Sequence, residues 1–340
     1  MIRTLPVRER PARVIHEEAA PCVVYPPLDP SSQGPWWWGH SALSCFQPAS
    51  PGVRPSRGQA SPSSGTAVKS PCQRAPGECL RVLTYNIRVG AGPERPLTCL
   101  SHLTSSPEKL RAIADAIASV RPDLVALQEV RGSEQAAFLA QELGMNYAYT
   151  PHGGKDVDWG LALLSKVRIL GVHTAPIHQG RDQRVGVLYT LDLAGAKLQF
   201  INVHYHLGGY QGQVAATVRL VQEAQEGPLI LAGDLNFSRH EGALEPLLER
   251  LADTCELAPP PKAFEIERTG TAGGLFRYRL DYILVDPRLL SVIDVGLTSE
   301  PYRTASDHLG YHACVKLKHP RVTRALPQTE TRPHQKAPGP

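Results

Sequence analysis

A pair of polar side chains directly after an apolar run is the first candidate for chemistry in this sequence. The run Leu229–Ala232 leads into Asp234 and Asn236, which lie two residues apart. Side chains two apart leave a strand on the same face, so this carboxylate and this amide could converge on one ligand. A carboxylate can take a proton from an attacking water, and an amide can donate to a developing oxyanion. An Asx turn at the end of a strand fits the same residues equally well.

Two further segments carry polar side chains that could serve either chemistry or structure. His204 and His206 follow an apolar run and would share a face if that strand persists. A solvated strand end explains them as well, and no third soft ligand with regular spacing indicates zinc. Asp281 lies among the apolar residues of 279–285, where an unpaired carboxylate is costly to bury. That carboxylate therefore needs a partner from elsewhere in the chain.

Polar residues recur at or near the ends of apolar strands too often to be accidental. They are Asn86, Glu129, His204, Asp234, Asn236, Asp281, Asp307 and His308. Carboxylates together with asparagine suit a hard cation such as Mg²⁺ or Mn²⁺, which prefers oxygen ligands and keeps waters that a substrate phosphate can replace. The residue types thus favour a divalent-metal site.

The elements that must position these residues alternate between strands and helices. Residues 81–88 and 124–130 have strand patterns, and 107–120 between them has helical spacing of its apolar residues. Strand, helix, strand indicates an α/β unit. Three more strands then follow with no helix between them, which is typical of an antiparallel or mixed sheet. These strands are 160–165, 185–191 and 198–204.

The remaining sequence predicts further helices and one more strand towards the C-terminus. Further helices are predicted at 134–143, 211–226 and 241–251. Pro259 to Lys262 is predicted to open a loop, and 311–317 to form the closing strand.

The two ends of the chain differ from its centre in composition. Residues 1–80 hold 13 of the 31 prolines and show little periodicity, which is typical of disordered segments. We therefore divide the 340 residues into a disordered Pro-rich N-terminal tail, 1–79, one folded domain, 80–318, and a disordered C-terminal tail, 319–340.

Charge and cysteine content restrict the class of protein. The net charge of +4 comes from the two ends, because 81–318 carries −2, so the domain is not a strongly basic nucleic-acid binder. The seven cysteines are scattered, with no CxxC pair, which fits neither a disulfide framework nor a zinc ribbon. Because no signal peptide or membrane-length apolar stretch is seen, we expect a cytoplasmic monomer without a stable protein partner.

Six short motifs in order resemble those of the endonuclease/exonuclease/phosphatase superfamily, the deoxyribonuclease I-like proteins. The motifs are Thr84-Tyr-Asn-Ile87, Leu127-Gln-Glu-Val130, Asn202-Val-His204, Gly233-Asp-Leu-Asn236, Arg279-Leu-Asp-Tyr282 and Ser306-Asp-His308. The resemblance implies a four-layer α/β sandwich, in which two packed mixed β-sheets are flanked by helices. It also implies a divalent-metal-dependent phosphoesterase that hydrolyses a phosphodiester by in-line attack of an activated water.

The resemblance further implies how the metal and the water are held. Asn86, Glu129 and Asp307 would bind the metal, Mg²⁺ or Mn²⁺. Asp234 would orient and deprotonate the attacking water, and Asn236 would donate to a phosphate oxygen.

Contacts to the substrate phosphate are implied for the histidines and two arginines. His308 would contact the scissile phosphate while Asp281 holds its ring, and His204 would act from the other side as general acid or charge stabiliser. Arg131 and Arg184 match arginines that contact phosphate in the deoxyribonuclease branch.

The sequence departs from the family pattern at a few positions. Arg88 stands where some members have an acid that gains a further metal contact, and Gly310 stands where many have proline. The acidic partner that the deoxyribonuclease branch gives the position of His204 has only two candidates, Asp156 and Asp158.

The substrate stays open at this stage. It could be a nucleic acid, a phospholipid or a small phosphoester. An inositol-phosphate type of phosphomonoesterase is one alternative activity. A catalytically silent binding module on the same scaffold is another, although buried carboxylates are expensive to keep without a metal.

Overall fold

A computed structural model describes most of the central region of the chain. The described residues are 23–25, 79–93, 103–154, 158–180, 182–193, 196–239, 242–273 and 277–318. The strands are β1 (Val23–Tyr25), β2 (Leu80–Asn86), β3 (Leu124–Val130), β4 (Asn146–Pro151), β5 (Gly160–Ser165), β6 (Arg168–His178), β7 (Arg184–Leu193), β8 (Ala196–His204), β9 (Leu229–Asp234), β10 (Ala252–Asp253), β11 (Ala272–Gly273), β12 (Arg277–Tyr278), β13 (Asp281–Val285), β14 (Leu290–Leu297) and β15 (Tyr311–Leu317). The α-helices are α1 (Pro107–Val120), α2 (Gly132–Leu143), α3 (Tyr210–Glu223), α4 (Glu245–Leu248), α5 (Thr254–Leu257) and α6 (Pro260–Thr269).

Two large sheets carry the fold. Sheet A has seven strands in the order β1-β4-β5-β3-β2-β15-β14, and sheet B has six in the order β10-β13-β9-β8-β7-β6. Both sheets are mixed, because β2 pairs parallel with β3, and β8 parallel with β9, while their other pairings are antiparallel. The two short strands β11 and β12 form a separate pair.

The sheets face each other across a shared apolar core. Val82 and Leu124 of sheet A belong to the same buried cluster as Phe200 and Ile230 of sheet B. The outer face of sheet A packs against α1 and α2, and the outer face of sheet B packs against α3 and α4. The predicted four-layer α/β sandwich is therefore confirmed.

Helix α1 begins and ends as its sequence predicts. The side chain of Ser106 accepts the backbone N–H of Lys109, and Pro107 occupies the first turn, where no N–H is needed. Leu110, Ile113 and Ile117 are buried on one face of the helix, which packs them against sheet A.

Several elements differ from the sequence prediction. The helix predicted over 241–251 is reduced to the single turn of α4. The loop predicted from Pro259 onward is helix α6, because prolines in a first turn start a helix rather than break one. Strands β4, β6 and β14 were not predicted. The side chains of β6 are mostly only half-buried and show no clear apolar alternation.

A buried polar link joins the two sheets next to the strand ends that matter for chemistry. Gln128 Nε2 donates to Asn202 Oδ1 at 2.9 Å, and Asn202 Nδ2 donates to the carbonyl oxygens of Leu127 and Ala162, both at 3.1 Å. Buried amides need hydrogen-bond partners, so these bonds fix the position of β3 relative to β8 along the strand direction. Those strands carry Glu129 and His204.

Two observations concern the predictions made for the cysteines and for the N-terminal tail. Cys79 and Cys314 form a disulfide with a Cα–Cα distance of 5.6 Å, which corrects the expectation of no structural disulfide. Strand β1 lies within the predicted N-terminal tail and pairs with β4. The rest of that tail before Cys79, and all of 319–340, lie outside the described residues, so both tails stay predictions. Among the described helices, none is long and apolar enough to cross a membrane.

Candidate active site

Three polar side chains lie side by side on neighbouring strands of sheet B. In the parallel pairing of β8 with β9, His204 is opposite Asp234. In the antiparallel pairing of β9 with β13, Asp281 is opposite the same Asp234. All three residues are buried. Strand register therefore gathers into one row residues that are far apart in the sequence.

Gly233 makes this row possible. A Cβ atom at Gly233 would lie 2.0 Å from the carbonyl oxygen of Val203 on β8. A side chain there would force β8 and β9 apart, so the residue before Asp234 has to be glycine.

Glu129 reaches the site through an irregularity of sheet A. The register of β3 against β5 shifts between Leu127 and Val130, and Glu129 adopts a left-handed φ of 53°. Simple alternation would turn this side chain towards the helices, with Val125 and Leu127. A β-bulge redirects it, and bulges and strained backbone are common beside active sites.

Asn86 bridges two carboxylates across the two sheets. Its Nδ2 donates to Glu129 Oε1 at 3.0 Å and to Asp234 Oδ2 at 3.1 Å. Its Oδ1 accepts the backbone N–H of Arg88 at 3.0 Å. Because carboxylates accept and a backbone N–H donates, these partners fix the orientation of the amide. Asn86 thus joins the end of sheet A to the end of sheet B.

His308 and Asp281 form a buried pair, as predicted from the apolar surroundings of Asp281. His308 Nδ1 lies 2.8 Å from Asp281 Oδ2, and His308 Nε2 lies 3.7 Å from Asp234 Oδ2. Burial opposes a charged imidazole, but the Asp281 and Asp234 carboxylates outweigh it and raise the pKa of His308 to about 10. His308 is therefore a cation at neutral pH.

Asp234 has the electrostatics of a base. Burial, and next repulsion from Asp281, raise the pKa of Asp234 to about 7 against the attraction of His308. Its Oδ1 accepts the backbone N–H of Asn236 at 2.9 Å, where a left-handed φ of 53° turns the chain. A carboxylate with a pKa near neutrality can take and release a proton under ordinary conditions.

His204 is held as a neutral ring. Burial, followed by the charge of Arg184, lowers the pKa of His204 well below its usual value. Asn236 Nδ2, which donates to the Tyr205 carbonyl at 2.8 Å, lies 3.1 Å from His204 Nε2. An amide N–H next to a ring nitrogen requires an acceptor, so Nε2 is unprotonated and Nδ1 carries the hydrogen.

Asp307 and Arg88 flank the carboxylates of the site. Arg88 Nε lies 3.5 Å from Asp307 Oδ2, and Arg88 Nη1 donates to the carbonyl oxygen of Gly92 at 2.9 Å. Arg88 follows Asn86 in a short 3-10 helix, Arg88–Gly90, with a left-handed φ of 47°. Burial, above all, raises the pKa of Glu129, and Asp307 adds to that effect.

The two predicted phosphate-binding arginines have different surroundings. Arg184 is buried with its Cζ 4.2 Å from the centre of the Trp159 ring. Burial lowers the pKa of its guanidinium, and the Glu129, Asp182 and Asp234 carboxylates oppose that shift. Arg131 Nη1 donates to the Leu103 carbonyl at 2.7 Å, and its Nε lies 2.8 Å from Asp158 Oδ2.

These contacts affect two of the sequence predictions. Asp158 was a candidate partner of His204, but it forms an ion pair with Arg131 instead. The other candidate, Asp156, lies outside the described residues. Contact between Arg131 and a substrate phosphate stays a prediction.

Two aromatic residues at the site were missed by the sequence reasoning. Trp159 has its ring centre 5.3 Å from that of His204, and His152 lies 5.1 Å from Trp159 and 6.2 Å from His204. Both are buried. His152 follows the alternating strand β4, so the signal that singled out the other strand-end residues was present there. It was overlooked because that strand was not recognised.

Among the catalytic residues and the neighbours named above, six buried polar atoms have no hydrogen-bond partner among the described residues, and they are of two chemical kinds. Oxygens of this kind are Glu129 Oε2 and Asp281 Oδ1. Nitrogens of this kind are Arg184 Nε and Nη1, His152 Nε2 and His204 Nδ1. Each unsatisfied buried group costs about 1–3 kcal/mol, so both kinds call for a ligand. The oxygens suit a cation, and the nitrogens suit an anion.

The oxygen-rich side fits a hard divalent cation. Glu129 Oε2 is free to coordinate, and Asp307 lies close enough to raise the pKa of Glu129. Asp234, Asp281 and His308 form a second group whose ligand atoms lie within 4.8 Å of one another. His308 Nδ1 is already bound to Asp281, so Glu129 offers the more available oxygen. Either set presents the carboxylates that Mg²⁺ and Mn²⁺ prefer.

A family model matches the part of the chain that contains these residues. It is the model of the endonuclease/exonuclease/phosphatase family, and it matches residues 83–308, which include the site residues from Asn86 to His308. The chain belongs to this family. A search of curated proteins found no significant match.

Solved structures of endonuclease/exonuclease/phosphatase proteins have the same fold. One from Beutenbergia cavernae is 23% identical over 71% of this chain and 72% of its own, with a TM-score of 0.55. The human Nocturnin catalytic domain with a bound sulfate is 20% identical over 71% and 94%, with a TM-score of 0.56. D. rerio TDP2 with a single-strand DNA product is 16% identical over 70% and 98%, with a TM-score of 0.54. Identities this low establish the fold alone.

Proposed function

We propose that this protein is a divalent-metal-dependent phosphoesterase that hydrolyses a phosphodiester by in-line attack of an activated water. One observation carries the proposal: unsatisfied carboxylate oxygens and unsatisfied nitrogens are buried in the same site. A metal-bound phosphate ester supplies a cation for the first group and anionic oxygens for the second. The DNA product in D. rerio TDP2 and the sulfate in Nocturnin support an anionic substrate of this kind.

The residues divide the chemical work as follows. Asp234, held by Asn86 and by the backbone N–H of Asn236, orients the water and takes its proton. The charged His308, held by Asp281, stabilises negative charge on the phosphate. Glu129 and Asp307 would hold the cation, which would supply Lewis-acid stabilisation of the phosphoryl oxygens when bound. Asn86 orients Glu129 by donating from Nδ2, and coordination of the cation by its Oδ1, which accepts the backbone N–H of Arg88, stays a prediction.

His204 acts as a charge stabiliser in this scheme rather than as a general acid. A ring whose pKa is well below its usual value carries no extra proton to give to the leaving group at neutral pH. Its Nδ1–H is nevertheless available as a donor. Arg184 supplies the fixed positive charge on the same side, and Asn236 donates to a phosphate oxygen when the substrate displaces one of its present partners.

Two alternative functions differ from this proposal, one in its substrate and one in the absence of turnover. A phosphomonoesterase of inositol-phosphate type would use the same catalytic groups on a more highly charged ligand. A catalytically silent binding module would keep the metal and the anion site without turnover. The domain charge of −2 does not separate these substrates, because nucleic acids and inositol phosphates are both anionic, so the substrate comparison below decides between them.

An activity panel on the full chain tests the proposal. Bis-p-nitrophenyl phosphate, p-nitrophenyl phosphate, plasmid DNA, single-stranded RNA and sphingomyelin are offered with Mg²⁺, with Mn²⁺ and with EDTA. We expect hydrolysis of at least one diester that EDTA abolishes. The matched control is Asp234→Asn, which keeps the shape of the side chain and should lower kcat by at least about a hundredfold.

Other results of the activity panel would support one of the alternatives or contradict the mechanism. Faster turnover of p-nitrophenyl phosphate than of every diester would support the phosphomonoesterase. Metal binding without turnover of any substrate would support the silent module. Activity that survives both EDTA and Asp234→Asn would contradict the proposed mechanism.

A further inference from the structure

One histidine beside the catalytic row has no role in the scheme above. His152 lies directly after strand β4, and its backbone N–H donates to the carbonyl oxygen of Trp159 at 3.1 Å. Its relative exposure is 4%, against 2% for His204 and 1% for Asp234. His152 is thus no more deeply buried than the residues that the reaction uses.

The tautomer of His152 follows from its one protein partner. The backbone N–H of Val185 donates to His152 Nδ1 at 3.2 Å. A ring nitrogen that accepts a hydrogen bond is unprotonated, so the hydrogen of the neutral ring is on Nε2. Burial, followed by the charge of Arg184, lowers the pKa of His152 well below its usual value, which keeps the ring neutral.

The hydrogen on Nε2 has no acceptor among the described residues. His152 Nε2 is buried and unpartnered, like Arg184 Nε, Arg184 Nη1 and His204 Nδ1. The three side chains meet around one ring, because Trp159 contacts His152, His204 and the Arg184 guanidinium. Four buried donors with no acceptor in one place define an anion-binding subsite with several N–H groups.

We propose that His152 contacts the substrate, its Nε2–H donating a hydrogen bond to a phosphate oxygen that Arg184 also binds. The ligand class is a tetrahedral oxyanion, and the inference rests on the proposed phosphoesterase function. His204, whose ring centre lies 6.2 Å from that of His152, lies beside the same subsite. Trp159 is a positioning residue, because its ring lies 4.2 Å from the Arg184 Cζ atom and contacts both histidine rings.

Two substitutions of His152 separate contact from structure. Asn can keep an acceptor where Nδ1 is, so His152→Asn preserves the bond from Val185 but removes the distant donor. Gln can keep a donor where Nε2 is, so His152→Gln preserves the proposed contact but loses the bond from Val185. His173→Asn is the control, because that exposed histidine pairs with Glu223 at 3.1 Å and has no part in the site.

The measurement is binding of inorganic phosphate to the full chain with Mg²⁺, by calorimetry, together with the melting temperature of each variant. We expect His152→Asn to weaken phosphate binding roughly tenfold, the loss of one hydrogen bond to a charged group, with little change in melting temperature. His152→Gln should bind phosphate within about threefold of wild type and melt at a lower temperature. His173→Asn should change neither quantity.

The opposite pattern would overturn the inference. If His152→Asn binds phosphate like wild type, or His152→Gln loses as much affinity as His152→Asn, His152 is only a structural residue. The activity panel keeps this result separate from the proposed function. If the protein hydrolyses a diester but its phosphate binding does not depend on His152, only the inference about His152 is wrong. Phosphate binding that depends on His152 without any hydrolysis would reject the activity alone.

Discussion

At the scale of single residues, the site combines carboxylates in three different electrostatic states. Asp234 has a pKa raised to about 7, Asp281 is bound to the charged His308, and Glu129 has one oxygen without a partner. The neighbours of each carboxylate create these differences, since the side chains are chemically almost the same. One carboxylate is thereby suited to move a proton, one to hold a histidine, and one to bind a cation.

Glu129→Gln should weaken metal binding more than it harms the fold. The amide keeps the shape and still accepts from Asn86, but it lacks the charge that a divalent cation needs. We expect the Mn²⁺ dissociation constant to rise at least about tenfold, with a melting temperature near that of wild type. Calorimetric Mn²⁺ titration measures this directly. An unchanged dissociation constant would remove Glu129 from the ligands and favour the group of Asp234, Asp281 and His308.

Asp281 and His308 should behave as one unit in catalysis. Their 2.8 Å contact means that losing either partner disables the other. Asp281→Asn should lower kcat by orders of magnitude at neutral pH while leaving the metal requirement intact. Adding His308→Ala to it should cause little further loss. If the two losses multiply in the double variant, the residues act independently and Asp281 is no more than a structural group.

The same pair should make folding stability depend on pH. The pKa of His308 is about 10 in the folded protein against 6.5 for an ordinary histidine. A raised pKa stabilises the fold fully below pH 6.5, and the stabilisation is lost as the pH rises through 10. His308→Gln should therefore cost roughly 3 kcal/mol at pH 6, and less at alkaline pH.

Urea unfolding in EDTA at pH 6, 8 and 10 is the measurement for that variant. The free-energy difference between wild type and His308→Gln should shrink steadily along this series. A difference that stays constant would mean that packing of the ring, rather than its charge, provides the stability.

At the scale of elements, the site depends on where strands end and how closely they approach. The parallel pair β8 and β9 delivers His204 and Asp234 at the same level, and the bulge in β3 turns Glu129 towards them. The buried link between Gln128 and Asn202 keeps the two sheets at a matching height. Small errors in strand spacing would therefore separate catalytic groups that touch through single hydrogen bonds.

Gly233→Ala tests this dependence on strand spacing. The added methyl group would meet the Val203 carbonyl oxygen at 2.0 Å, so we expect a loss of roughly 3 kcal/mol or failure to fold. Gly212→Ala is the matched control, because nothing lies within 4 Å of a Cβ atom there and alanine favours helix α3 by about 1 kcal/mol. Denaturant unfolding compares the two. Equal stability of both variants would show that β8 and β9 are not in close contact at Gly233.

At the scale of the whole molecule, the catalytic groups lie where both sheets end, and the layers behind them are apolar. The core between the sheets and the two outer cores involve residues from Leu80 to Val315. Among the described residues before Cys79, strand β1 pairs at the edge of sheet A. We therefore expect the three cores to persist when the two ends of the chain are removed.

A shortened chain of residues 78–320 should fold cooperatively and keep full activity. It retains the three apolar cores and the pairing of Cys79 with Cys314, and of the described residues it loses only the three-residue edge strand. Edge strands this short contribute little to stability. Calorimetric unfolding and the activity panel on both chains provide the comparison. Loss of a cooperative transition in the shortened chain would show that the N-terminal segment belongs to the core.

Much of this arrangement was predictable because it depends on local pattern. Helical spacing and the Ser106 cap predicted α1, alternation predicted β2, and short apolar runs predicted β5 and β8, since each signal depends on residues close together in the chain. The position of Asp281 in an apolar strand predicted a partner for its carboxylate, because an isolated buried charge is too costly. Family motifs in order then implied the four-layer sandwich.

Other features were decided only by tertiary structure. The bulge at Glu129, the row of His204, Asp234 and Asp281, and the meeting of His152 with His204 depend on register between strands. Register is set by packing across the whole sheet, so local sequence carries little information about it. Polar side chains at strand ends could be recognised from the sequence. Which of them would touch, and which buried nitrogens would lack an acceptor, depended on the pairing of distant strands.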